Sequence, residues 1–277
     1  MAEKEERTLV SFDWALKSIL RQKDNFDILE GFLFDLLDEK ITIIELLESE
    51  ANKEDIKDKF NRVGLKAKDS DGREIIIEIQ HDSEPDYIER VYYGTSKSIV
   101  DNMQEGYRYK QVKKIISISI VYWHLLGNSY LVKGEMEFRD MVNGNREMKI
   151  KDKQKIFAEY YFIQPEWFSD KIKSKIDEWV YMFKHSKVKG EIEATNIVKV
   201  QEKLDKLNMT SKERIAYDEY QFNKTINEGV LQSREEKGEQ KGEKKGEQNV
   251  IAAMKDIGLD SEDIEKVLKK LGEKKAQ

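Results

Sequence analysis

An α/β fold, a mixed central sheet flanked by helices and followed by a helical C-terminal region, is predicted by three observations. Residues 62–80 read RVGLKAKDSDGREIIIEIQ, two strand-like arms joined by a turn. Residues 86–105 carry apolar side chains at helical spacing and lead into a second apolar run, 112–123. From Ser169 onward the periodicity is helical almost throughout.

The hairpin is the best-defined element. Val63, Leu65 and Ala67 alternate with Gly64, Lys66 and Lys68, the period of a half-buried strand. Asp69-Ser70-Asp71-Gly72 supplies a turn, because Asp and Ser bond their own backbone and Gly tolerates positive φ. Glu74 to Gln80 then returns as a β-branched strand with Glu78 and Gln80 two residues apart, hence on one face. A Glu within an Ile run is costly to bury unless a cation pairs it.

The segment before it is helical. Trp14, Ile19 and Leu20, then Phe26, Ile28, Leu29, Phe32, Leu33, Leu36 and Leu37, fit two helices with one buried face. The break falls at Lys23-Asp24-Asn25, with Asn25 as N-cap. Residues 41–47 (ITIIELL) read as a strand, and the charged stretch 50–59 as loop or a single turn.

After Gln80, His81 to Pro85 breaks the chain. The helix of 86–105 uses Ile88, Val91, Tyr92, Thr95, Ile99 and Met103, and Gly106 stops it. Residues 112–123 (VKKIISISIVYW) are a buried strand. Asn143-Gly144 signals a hairpin between MEFRDMV and NREMKI, and KIFAEYYFI, ending at Ile163, is a further strand. Helices follow at 170–183, 194–207 and from Ser211 to about Arg234. Residues 237–248 are three tetrapeptides, KGEQ, KGEK, KGEQ. They form either a helix with a glycine stripe, at about 1 kcal/mol per Gly against Ala, or a flexible charged spacer. Residues 250–272 read as two short helices around Gly258, a docking or association module.

Composition narrows the function classes. With 277 residues the chain holds one ordinary domain plus extensions. Charged residues make up 38% and Pro only 2, which favours helices and short loops. Cysteine is absent, which excludes disulfides and thiolate sites, and the three scattered His argue against a His-rich zinc site. The net charge of −6 gives no general hint of nucleic acid. No apolar run spans a membrane and the start is polar and acidic, so a cytoplasmic protein with no membrane partner is expected.

The hairpin resembles the PD-(D/E)XK nuclease core, in the variety found in the Rpn family of recombination-promoting nucleases and putative transposases. Glu78-Ile79-Gln80 matches that family's Glu-x-Gln, and Arg62 and Asp71-Gly72 match its flanks. Asp13 and Lys17 match its opening Asp-x-x-x-Lys; Arg90, Tyr92, Tyr93 and Gly106-Tyr107-Arg108-Tyr109 match its Arg-x-x-Tyr-Tyr-like helix and Gly-x-x-Tyr stop. The β extension and Gly-Glu-Lys tail extend the likeness over roughly residues 11–272. The resemblance implies a restriction-endonuclease-like sheet, a DNA substrate and Mg²⁺-dependent phosphodiester hydrolysis. It implies metal contacts at Glu78 and the Ile79 carbonyl, with Gln80 in place of the usual lysine. Lys66 is a candidate substitute for that lysine, Arg90 and Tyr93 are DNA-contact candidates, and Glu30 is a weaker candidate for an additional acid. A homodimer through the C-terminal helices is also expected.

One position departs from the pattern. The family's metal-binding Asp should follow Arg62 by two residues, where this chain has Gly64. Three explanations stand open: a naturally degenerate copy, an engineered form that cannot cut, or replacement of the ligand by Asp69, Asp71 or Glu30. Asp69 and Asp71 lie about 16 Å or more along an extended strand from position 64, which makes them poor replacements. Impaired endonuclease activity is therefore expected. The rival reading is a catalytically inactive DNA-binding or assembly protein that keeps the fold. A further alternative, an ordinary polar cluster in which Arg90 or Lys66 satisfies Glu78 and Gln80, leaves the whole-chain likeness unexplained. The domain plan is a nuclease-like domain with β extension over 1–168, a helical region over 169–236, a repeat spacer over 237–249 and a two-helix module over 250–277.

Overall fold

The computed structural model describes residues 10–18, 20–47, 62–103, 108–109, 112–144, 146–147, 156–189, 193–205 and 209–256, with isolated positions to 267. The chain divides into two compact units, Met1–Tyr220 and Gln221–Gln277. The first holds a six-stranded mixed sheet with helices on both faces.

The sheet begins with β1 (Ile43–Leu47), β2 (Arg62–Asp69) and β3 (Glu74–Gln80), each antiparallel to the one before. After α3 (Tyr87–Asp101) comes β4 (Ile115–Val121), parallel to β3. The chain then runs through β5 (Leu131–Gly134), the two-residue pair β6 (Arg139–Asp140) and β7 (Arg146–Glu147), and β8 (Glu159–Ile163). β8 inserts between β4 and β5, giving the order β1-β2-β3-β4-β8-β5. Because β3, β4 and β8 are mutually parallel, their C-terminal ends share one edge of the sheet. In open sheets of this kind ligands gather beyond such ends.

Side-chain alternation sorts the sheet into two unlike faces. Ile75, Ile77 and Ile79 join Ile116, Ile118, Ile120 and Leu65 in one core, all at most 3% exposed. That core is closed by α1 (Phe12–Ser18), α2 (Phe26–Leu37), α4 (Lys175–His185) and α5 (Ile197–Leu204). The opposite face carries Gly64, Lys66, Glu74, Glu78, Gln80, Ser117 and Ser119, and α3 lies on it through Tyr87, Val91, Thr95 and Ser98. Its apolar contact is a small second cluster of Tyr87, Val91, Val121 and Phe162. Glu74 anchors α3: its buried carboxylate accepts from Ser98 Oγ and Asn102 Nδ2 and pairs with Lys66 at 3.0 Å.

Local chemistry accounts for the other joints. Gly72, at φ 75°, closes the β2–β3 turn, and the Asp69 carboxylate accepts the N–H groups of Asp71 and Arg73. Gly31 lets α2 approach the start of α5, since a Cβ there would lie 2.5 Å from the Thr195 carbonyl oxygen. The Asp35 carboxylate binds Trp179 Nε1 at 2.9 Å and Thr195 N at 2.6 Å, tying α2 to α4 and α5. Asp177 accepts from Lys173 N, Ser174 N and Tyr130 OH, which starts α4 at Lys175 rather than nearer Asp170. Asn25 makes no side-chain cap; a short 3₁₀ turn, Lys23–Asn25, runs directly into α2.

Helix α6 runs from Ser211 to Asp256 without interruption. It passes through the three KGEx units, so of the two alternatives for that stretch the helix is the one observed. Tyr217 and Tyr220, at its root, are buried in the main core. Most of the second short helix expected after Gly258 lies outside the described residues. Among the described residues, no helix is long and apolar enough to cross a membrane.

Candidate active site

Gly64 of β2 and Glu78 of β3 are register partners, directly opposite in the antiparallel ladder. Both belong to the face covered by α3. A Cβ built on Gly64 would meet only the Ile77 carbonyl oxygen, at 3.9 Å, so there is open space at the start of any side chain there. The Gly64 carbonyl accepts from Arg21 Nη2 at 2.7 Å. Burial holds the Arg21 guanidinium below its ordinary pKa.

Around Glu78 the side chains form a tight charged group. Arg90, in the first turn of α3, lies with Nη1 3.5 Å from Glu78 Oε2 and Nε 2.7 Å from Glu84 Oε2. Its guanidinium also sits over the Tyr87 ring, 4.8 Å from the centroid. Burial and then the Glu78 carboxylate push the Tyr87 phenol far above its usual range. Gln80 is fully buried, and its Nε2 donates to Glu84 Oε1 at 2.8 Å and to the Asp82 carbonyl at 3.3 Å. Buried polar atoms without a hydrogen-bond partner among the described residues concentrate here: Glu78 Oε2, Gln80 Oε1, Arg90 Nη2 and Arg21 Nε. Native interiors leave few such atoms, and Glu78 Oε2 among them still has the Arg90 guanidinium 3.5 Å away.

The remaining sequence candidates are placed as follows. Lys66 shares the face of Gly64 but spends its ammonium on Glu74. Ile79 is buried in the core, so its backbone carbonyl is its only possible oxygen donor. Glu30 accepts the Ile43 N–H at 2.8 Å, which fixes the start of β1. Asp69 is 1% exposed and consumed by the hairpin turn with Arg73, and Asp71 sits exposed at its tip. Tyr93 is on the outer side of α3, 68% exposed, beside Tyr92 at 65%.

Arg21 and Glu84 escape sequence reasoning. Arg21 reaches position 64 across 43 residues, and Glu84 stands in a polar break with no periodicity to mark it. A second polar group lies next door. His81 follows Gln80, and its Nε2 is 3.0 Å from the buried Asp13 carboxylate. Its ring stacks on Tyr122, with centroids 4.7 Å apart. The Tyr220 hydroxyl donates to the same Asp13 at 2.7 Å, linking the root of α6 to the strand end that carries Gln80.

These residues do not fit a divalent cation as they stand. Hard cations need several oxygen ligands. Here position 64 supplies no side-chain oxygen, and Glu78 already faces a guanidinium. Among the described residues no three acids or histidines gather where a metal could bind.

A family model described as PD-(D/E)XK nuclease family transposase matches residues 10–228. No curated protein and no solved structure matches the chain.

Proposed function

Because the chain belongs to the PD-(D/E)XK nuclease family transposases, we propose that it is a DNA-binding, nuclease-like protein whose phosphodiester hydrolysis is impaired at position 64. The observation that carries this reading is the register pair of Gly64 and Glu78, with open space where a carboxylate would project. Metal-dependent hydrolysis of a phosphodiester rests on acids that hold the ion beside the scissile phosphate. A single carboxylate, even with the Ile79 carbonyl, is a poor cradle for Mg²⁺, which demands near-octahedral oxygen coordination. Gln80 can orient a water or a neighbour by hydrogen bonding but carries no charge.

DNA contact is assigned to the outer side of α3. Tyr92 and Tyr93 are exposed there, and aromatic rings stack on bases without demanding a sequence. The Arg90 guanidinium, a further DNA-contact candidate, is paired with Glu78 and Glu84. Self-association is assigned to α6, which carries exposed Phe222, Ile226 and Val230. The cytoplasm is the assigned compartment.

Plasmid nicking with Mg²⁺, comparing the unaltered chain with Gly64→Asp, tests the reading. Nicking that appears with Gly64→Asp and disappears on adding Glu78→Ala supports it. Strong nicking by the unaltered chain overturns it. No nicking by a folded Gly64→Asp variant favours the second reading, a non-catalytic DNA-binding or assembly protein, for which the Arg90–Glu78 pair is the specific support.

A further inference from the structure

The charged group at Glu78 is short of oxygen ligands, yet it already contains a cation. Arg90 reaches both acids at once, Glu78 through Nη1 at 3.5 Å and Glu84 through Nε at 2.7 Å. The three side chains are 27%, 23% and 25% exposed for Glu78, Arg90 and Glu84, so water screens them only in part. Gln80 holds Glu84 in place. Both atoms near its Nε2 are acceptors, the Glu84 carboxylate and the Asp82 carbonyl, which settles the orientation of an otherwise ambiguous amide. The ring of Tyr87 supports the guanidinium from a further side. Arg90 is fixed at the start of α3, its N–H donated to the Asp86 carbonyl.

We propose that Arg90 is the resident cation of this site, with Glu84 as its second carboxylate and Gln80 as the residue that positions Glu84. It neutralises Glu78 where a divalent ion would otherwise do so. The inference deepens the reading of the previous subsection and rests on it. A guanidinium tethered to the same fold competes at an effective concentration of about millimolar or more. Apparent affinity for a free ion falls by the fraction of molecules in which the site stands open. If Arg90 leaves its acids in about a tenth of molecules, a divalent ion binds about tenfold more weakly than the bare oxygens allow. Removing the guanidinium should therefore unmask an ion site built from Glu78 and Glu84, without any carboxylate at position 64.

The test is a Mn²⁺ titration of the full chain, read by the electron paramagnetic resonance of free Mn²⁺ and by calorimetry, with thermal melts to confirm folding. The unaltered chain should bind weakly. Arg90→Met should bind about tenfold more tightly or better, and Arg90→Met with Glu78→Gln should lose that gain. Arg90→Lys, which keeps the charge, should stay near the unaltered chain. An equal gain in Arg90→Met and Arg90→Lys would mean that space rather than charge controls entry, and would overturn the proposal. So would an Arg90→Met variant that binds no better, or tight Glu78-dependent binding by the unaltered chain. Should Arg90→Met not fold, Arg90→Gln takes its place: it removes the charge and keeps both acids, so a gain in Mn²⁺ binding supports the assignment and the absence of one overturns it. None of these readouts requires cleavage, so failure of the nicking experiment and failure of this one are separate results.

Discussion

In the proposed reading, a carboxylate at position 64 would change the charge of the site as well as its ligand count. Two facing acids would repel each other until a cation separated them; with Gly64 there, the proposal leaves Glu78 to Arg90. A ligand stabilises the native state by RT ln(1 + [L]/Kd). For a Kd well above millimolar, millimolar Mg²⁺ should add only about a few tenths of a kcal/mol. We expect almost no thermal shift with Mg²⁺ for the unaltered chain and a clear upward shift for Gly64→Asp, read by scanning fluorimetry. Asp13, 2% exposed, gives a second residue-scale expectation. Tyr220→Phe removes one donor from that carboxylate, and a lost buried partner costs about 1–3 kcal/mol. Chemical denaturation should show a lower midpoint with an unchanged slope. At this scale Glu78 and Gln80 were legible because strand alternation alone puts them on one face. Arg21 and Glu84 were not, because their contacts depend on how distant loops return to the strand, which no local period encodes.

Among the elements, β4 and β8 illustrate how charge adds to pairing. Lys114, just before β4, places Nζ 2.6 Å from Glu159 Oε1 on β8. Burial raises the Glu159 pKa, but Lys114 and Lys133 outweigh it and hold the group below its usual range. A folded pKa below the unfolded one means stability that is fully present above the unfolded value and lost as pH falls through the folded value. Lys114→Met should therefore lower the melting temperature at pH 7 and flatten its decline between about pH 5 and 3. The strands themselves were legible from β-branched runs, but not the insertion of β8 between β4 and β5, since neighbour order follows from long connections. α6 shows the opposite difficulty. Its glycines argue for a break at about 1 kcal/mol each, while the Lys and Glu around them are good helix formers. Gly238, Gly242 and Gly246 have open space around a built Cβ. Replacing all three with Ala should raise helicity by circular dichroism. If the stripe is the self-association surface, the same change should weaken association, because the bulkier face keeps a second helix away.

For the molecule as a whole, the helical C-terminal region is not separable at its own first residue. Cutting after residue 210 removes Tyr217 and Tyr220 from the main core, where they are 5% and 7% exposed. Cutting after residue 221 retains both. We expect the longer fragment to melt near the full chain and the shorter one well below it. By light scattering the 221-residue fragment should be a monomer and the full chain a larger species; equal association states would place the contact elsewhere. The division at Tyr220–Gln221 falls inside one continuous helix. Composition and periodicity could not locate it, because nothing in the local pattern changes at that point.

The tetrapeptide repeat also makes α6 a device that counts. Four residues advance a helix by about 6 Å and turn it by about 40° beyond a full revolution. In the language of supercoils each unit is a stutter, an insertion that shifts the phase of everything after it. On α6, Phe222, Ile226 and Val230 precede the repeats, while Val250 and Met254 follow them. Gaining or losing one KGEx unit would leave both apolar groups intact yet rotate one against the other. A partner that grips both at once would recognise the number of copies rather than their sequence, so chains of unequal count would be mismatched partners.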